Sequence, residues 1–199
     1  MDKRIGMYGS VINFVGVFGF ALNMMIGTEF GSYITSMFIA FGFVPMMCAF
    51  SANRKENSQT AGYAAMIFGA MYATVILLVY FAQTTAVRLD HLSEDVLKIV
   101  DYSQFGLAFS YDLLGYCLMA IATFFAGLTI DVKHRQDKWL KVLLMLHGIF
   151  AISCFIMPML GIFRSDMQGA DWIGVAVLEF WCIYFIPISI LSFMYFKRK

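Results

Sequence analysis

Residues 80–88 read YFAQTTAVR, placing Tyr80, Thr84 and Arg88 at four-residue intervals, so a helix carries all three on one face, with Gln83 beside them. Ala108, Asp112, Tyr116 and Ala120 repeat that spacing further along the chain. A guanidinium, a carboxyl, a carboxamide, a hydroxyl and two phenols form a set that can hold a charged or hydrogen-bonding ligand, and the carboxyl is also a candidate general acid or base. Asn23 and Glu179 add an amide and a second carboxyl from two other segments. The setting is what makes these residues informative. The stretch VILLVYFAQTTAVRLDHL, 75–92, begins as hydrocarbon-compatible and ends as water-compatible, with its polar residues late in the apolar run.

The 199 residues are 61% hydrophobic and 14% charged, against about a quarter charged in an ordinary soluble domain. Crossing the hydrocarbon of a bilayer takes roughly 20 mainly apolar residues. Six stretches meet that length: 7–27, 33–50, 61–87, 105–129, 140–163 and 172–196. They are continuous, whereas barrel strands alternate over about ten residues. The fold class is therefore all-α, an integral membrane bundle of six transmembrane helices, read as one domain over 1–199. The first apolar run follows MDKR and lacks a small-x-small cleavage pattern, so it is expected to be an uncleaved span. Small residues at Gly19, Asn23 and Gly27 and at Ala65, Gly69 and Ala73 suit close helix contact, either within the bundle or against a partner subunit or second copy.

Six spans put both termini on one side, with the loops around Arg54 and Lys133. That side holds eleven of the fourteen basic residues; the other holds Arg88, Lys98 and Arg164 among many acids. The positive-inside rule then makes both termini cytoplasmic, in a cytoplasmic (inner) membrane. On the outer side, Leu92, Val96, Leu97 and Val100 recur at helical spacing behind Ser93, a candidate N-cap. They give a short amphipathic helix between the third and fourth spans, either a linker in the headgroups or a lid.

This topology sets Gln83, Thr84 and Arg88 in the outer third of the third span. Asp112 and Glu179 each fall about seven residues into a descending span, on the order of 10 Å deep. A charge at such depth costs several kcal/mol, so an intramembrane acid faces the bundle interior and finds a partner or a proton. Arg88 is the only basic residue near that depth. Two arrangements follow: an Arg88–Asp112 ion pair clamping two helices, or a polar pocket open to the outside and built from Asn23, Tyr80, Gln83, Thr84, Arg88, Asp112, Tyr116 and Glu179.

Catalytic signatures are missing: there is no HExxH, GxSxG or Gly-rich phosphate loop, and His147 lies far along the chain from Ser110 and Asp112. Cys48, Cys117, Cys154 and Cys182 sit within spans without metal-ligand spacing. No cofactor and no nucleic-acid partner is expected; the expected surroundings are the lipid bilayer and a small-molecule ligand.

VYFAQTTAVRLD and DLLGYCLMAIATFFAG resemble a pattern of uncharacterised small bacterial membrane proteins with six spans, at Tyr80, Gln83, Thr85 and Arg88 and at Asp112, Gly115 and Tyr116. That resemblance implies a six-helix membrane fold and no particular activity. Size, span number and cytoplasmic termini are also similar to the substrate-binding subunits of energy-coupling vitamin transporters. The leading functional reading is a small-molecule binding or transport protein with an outward pocket. Its rivals are a membrane-embedded enzyme acting on a lipid or isoprenoid through Asp112 or Glu179, and a structural or sensor subunit of a membrane complex.

Overall fold

The computed structural model describes residues 1–162 and 171–199, with side chains from 174 onward in the second segment. Its helices are α1 (Asp2–Ile26), α2 (Glu29–Ala52), α3 (Gln59–Ala82), α4 (Glu94–Val100), α5 (Leu107–Thr129), α6 (Arg135–His147), α7 (Phe150–Met159) and α8 (Asp171–Arg198). Six helical stretches are long and apolar enough to cross a membrane, with α6 and α7 together forming the fifth. The short α4 lies between the third and fourth, as expected from the chain. Phe163, Arg164 and Asp166, which the sequence places at and after the end of the fifth span, lie outside the described residues.

Around the bundle, α1 packs on α2 and α8, α2 on α3, α3 on α5, α5 on α6 and α7, and α6 on α8, which closes the circuit. Two-thirds of the most apolar window of α5 is buried (67%), against 11% for the α6–α7 span, so α5 is the internal helix and α6–α7 a peripheral one. Between α1 and α2 the contact is backbone to backbone. A Cβ added at Gly42 would lie 2.5 Å from the amide nitrogen of Asn13, so only glycine fits there. Asn13, fully buried, uses that proximity: its Nδ2 donates to the Ile39 carbonyl and its Oδ1 accepts from Ser189, tying α1 to α2 and α8. The backbones come closest at Gly9, Gly16 and Gly42; of the Gly19-Asn23-Gly27 row chosen from spacing, Gly19 meets Thr35 and Asn23 meets Gly31, both on α2, while nothing lies near Gly27. On α3 the Ala65-Gly69-Ala73 row is buried as expected, with Gly69 against Met47 and Phe43 of α2.

At the basic end, the amide of Lys55 donates to the Thr129 carbonyl, and Arg198 and Lys199 reach Asp137 and Asp131. At the opposite, acidic end α3 does not stop at Ala82 but runs on through a single π-turn, Gln83–Val87. The sequence supplies the cause. Thr84 donates to the carbonyls of Tyr80 and Phe81, and Thr85 to Phe81, so side chains draw on the carbonyls of the preceding turn and loosen the regular ladder. Such turns recur at functional sites because they re-aim the side chains that follow.

Candidate functional site

The π-turn aims Gln83 at the segment that leads into α5. Its Nε2 donates to the Val100 carbonyl at 2.8 Å and its Oε1 accepts from the Tyr102 amide at 3.0 Å. Gln83 is 3% exposed, so neither bond has water as a ready substitute. Asp101 caps the 3-10 turn Tyr102–Gln104 by accepting from the Ser103 amide. Phe105 then takes the left-handed conformation, φ 53°, and Gly106 backs onto the Lys98 carbonyl, where a Cβ would clash. These local devices deliver one side chain inward. The Tyr102 hydroxyl donates to Asp112 Oδ2 at 3.3 Å. Burial first, and the Asp112 carboxyl second, push the Tyr102 phenol well above its ordinary range, so it keeps its proton and acts as the donor.

Asp112 is 2% exposed, and its other oxygen, Oδ1, has no protein partner. Tyr80 is the second phenol set against the carboxyl. Tyr116, one turn along α5, and Tyr72 of α3 bring hydroxyls that are buried and equally without a partner, with their rings 6.2 Å apart. Tyr33 of α2 stacks on Tyr80 at 5.4 Å and meets Tyr102 edge-on at 6.1 Å. The interior therefore holds one carboxyl in a nest of phenols contributed by α2, α3, α5 and the 101–106 turn.

The expected Arg88–Asp112 ion pair does not form. Arg88 is exposed, and its guanidinium lies over the Phe30 ring, 4.4 Å from the centroid. The π-turn rotates it outward, away from the face that carries Tyr80. There it lines an open cleft of about 250 Å³ at the acidic end, with Glu29, Phe30, Tyr33, Gln83, Val87, Asp101 and Ser103. Arg88 shares this cleft with two carboxylates and with Tyr33, whose ring stacks on Tyr80 and meets Tyr102 edge-on.

The eight residues chosen from the sequence thus fall into three groups. Gln83 and Arg88 line the cleft; Tyr80, Asp112 and Tyr116 form the buried nest beneath it. Thr84 is buried between them with its hydroxyl spent on its own helix. Asn23 and Glu179 belong to neither. Asn23 ties the α1–α2 turn, Nδ2 donating to the Gly19 carbonyl and Oδ1 accepting from Thr28 at 2.6 Å. Glu179 leaves Oε1 without a partner, but its electrostatic neighbour is Cys182 on its own helix and not Asp112. Tyr102, Glu29, Phe30 and Asp101 were missed as site residues because they stand at span ends and in turns, where periodicity carries no signal. Asp101 two residues before Ser103 is the turn signature that marks this segment.

His147 is a packing residue. Trp181 donates to its Nε2 at 3.0 Å, which leaves the ring proton of the neutral form on Nδ1, 2.8 Å from Thr123 Oγ1. Thr123 passes its own proton to the Ala120 carbonyl, so α5, α6 and α8 are joined by a satisfied chain.

Comparison with protein-family models, with curated proteins and with solved structures gives no match. What the chain's own features support, by the length and hydropathy of its six long helices, is a multi-pass membrane protein.

Proposed function

We propose that the acidic-end cleft is a binding site for a small polar molecule, with the acidic end facing the extracytoplasmic side of a bacterial cytoplasmic membrane, in a protein that binds or transports that molecule. The eleven-to-three distribution of basic residues supports this orientation. The observation that carries the reading is the charge of the cleft's lining, in which Arg88 occurs together with Glu29, Asp101 and Tyr33. A guanidinium pairs with a carboxylate or phosphate, and two carboxylates with an ammonium or several hydroxyls. The complement is a zwitterionic or amphoteric molecule. At about 250 Å³ the space is at the small end of ligand sites, which fits one of amino-acid size.

Cation–π stacking on Phe30 holds the guanidinium at the cleft wall, where it keeps its hydrogen-bonding edges for a ligand. The test is native mass spectrometry of gently purified protein, together with thermal-shift measurements against a panel of small zwitterions. A small molecule that leaves with the wild type and is lost in Arg88→Ala supports the site. If lipid alone leaves with both, and no panel member raises the melting temperature of the wild type selectively, the cleft is not a ligand site.

A further inference from the structure

We propose that Asp112 is a proton-binding site: it carries a proton while the 94–106 segment is closed over it, and releases that proton to water when the segment lifts.

The geometry of the carboxyl supports this. Among the described residues no cation pairs with Asp112. The titratable groups that face it are phenols and a thiol: Tyr33 from α2, Tyr72 and Tyr80 from α3, Tyr102 from the turn, Tyr116 from its own helix and Cys154 from α7. From α8, Cys182 is within electrostatic reach of Tyr116, and Glu179 is within reach of Cys182. Glu29 and Asp101, in the cleft above, add only negative charge around Tyr33. The cation nearest in sequence to this end of α3, Arg88, is turned onto Phe30. An ionised Asp112 would therefore be a lone charge in a low-dielectric bundle, and the neutral acid avoids that cost. Its Oδ1, which no protein group partners, is where the acid proton sits, and the hydroxyls of Tyr72 and Tyr116 are likewise buried without a partner.

The cover is built to move. No residue of α4 is buried, and the ion pair it makes among the described residues, Lys98 with Asp95, is exposed. The segment is retained by the two Gln83 bonds, by the Tyr102 hydroxyl and by the packing of the Tyr102 ring on Tyr33, Tyr80 and Phe109, while α4 itself adds no buried residue, and elements with few buried contacts open at low free-energy cost. When the segment lifts, Tyr102 leaves Asp112, water reaches the carboxyl, and the O–H proton passes to that water. The closed form binds one proton more than the open form, so closure is complete at low pH and is lost as pH rises. Asp101 and Ser103 belong to both the cover and the cleft, and Gln83 lines the cleft while holding the cover, so a molecule that fills the cleft and closes the segment also takes up a proton. This coupling rests on the cleft being a ligand site; the protonation does not.

The experiment uses the whole chain in phosphatidylcholine vesicles with no ligand added, so its outcome is independent of the cleft reading. Infrared difference spectra across a pH series follow the C=O band of protonated carboxylic acids, and hydrogen exchange of residues 94–106, corrected for intrinsic rates, follows closure. The expected result is a band that declines with rising pH and is absent in Asp112→Asn. Protection of 94–106 should fall by up to about tenfold per pH unit between the ordinary carboxylate range and the band's midpoint in the wild type, and stay high and flat in Asp112→Asn. Tyr102→Phe, which keeps the ring but removes one of the bonds that hold the segment closed over the protonated carboxyl, should move the band's midpoint downward in pH. A band unchanged in Asp112→Asn, wild-type protection that ignores pH, or an unmoved midpoint in Tyr102→Phe overturns the proposal.

Discussion

The carboxamide of Gln83 and the backbone of Tyr102 pair as two peptide groups do in a sheet, one bond given to the carbonyl of Val100 and one taken from the amide of Tyr102 itself. A helix residue thereby holds a turn 19 positions later in the chain, and the turn in turn holds its phenol against Asp112.

Removing that carboxamide strands a carbonyl and an amide that are both part-buried. Gln83→Ala is expected to destabilise the segment by about 1 to 3 kcal/mol, seen as faster hydrogen exchange across residues 94–104 with little change in the rest of α3. Gln83→Glu keeps the acceptor for Tyr102 and loses the donor to Val100, so its effect should fall between the two. Equal protection in all three proteins would mean that the latch carries no weight.

The orientation can be read with two cysteines placed in a background lacking the native four. Asn57 and Glu94 are both exposed and lie at opposite ends of the bundle, whereas Ser58 is buried and unsuitable. An impermeant thiol reagent added to intact cells should label position 94 and spare position 57. The reverse pattern would turn the cleft toward the cytoplasm.

His147 and Trp181 join α6 to α8 through one buried hydrogen bond. In membrane bundles such bonds have coupling energies of about 0.6 to 2 kcal/mol, and a double-mutant cycle with His147→Ala and Trp181→Phe, followed by thermal unfolding in detergent, should give a value in that range. An additive cycle would show that the two rings only pack.

Near the C-terminus, the hydrogen bond from Lys133, aided by the charge of Lys199, holds the Asp131 carboxyl below the ordinary carboxylate range. A depressed folded value means the contribution is present above the unfolded value and fades as pH falls through the folded one. Between about pH 6 and pH 2, the amide resonance of Lys199 in micelles should shift toward its free-chain position, and Asp131→Asn should show that shifted position throughout. A Lys199 resonance that is the same in both proteins would mean that the terminus is not held there.

Several features were legible in the order of residues because they depend on near neighbours along one helix. Length and hydropathy determine that a segment spans, and the six spans and the short outer helix follow from them. Four-residue spacing determines that Asp112 and Tyr116 share a face, and both are buried together. Spacing also made Asn23 and Glu179 look like pocket residues, yet the first is spent on a turn and the second sits elsewhere on α8. Matched depth and opposite charge likewise suggested an Arg88–Asp112 pair. Only the tertiary structure decided otherwise, because a π-turn adds one residue to the helical register and swings every later side chain, so Arg88 meets Phe30 instead. Tyr102 shows the same limit from the other side. Nothing periodic marks a residue in a turn, and its place against Asp112 exists only because Gln83, a left-handed Phe105 and the Gly106 contact fold the turn back over the bundle.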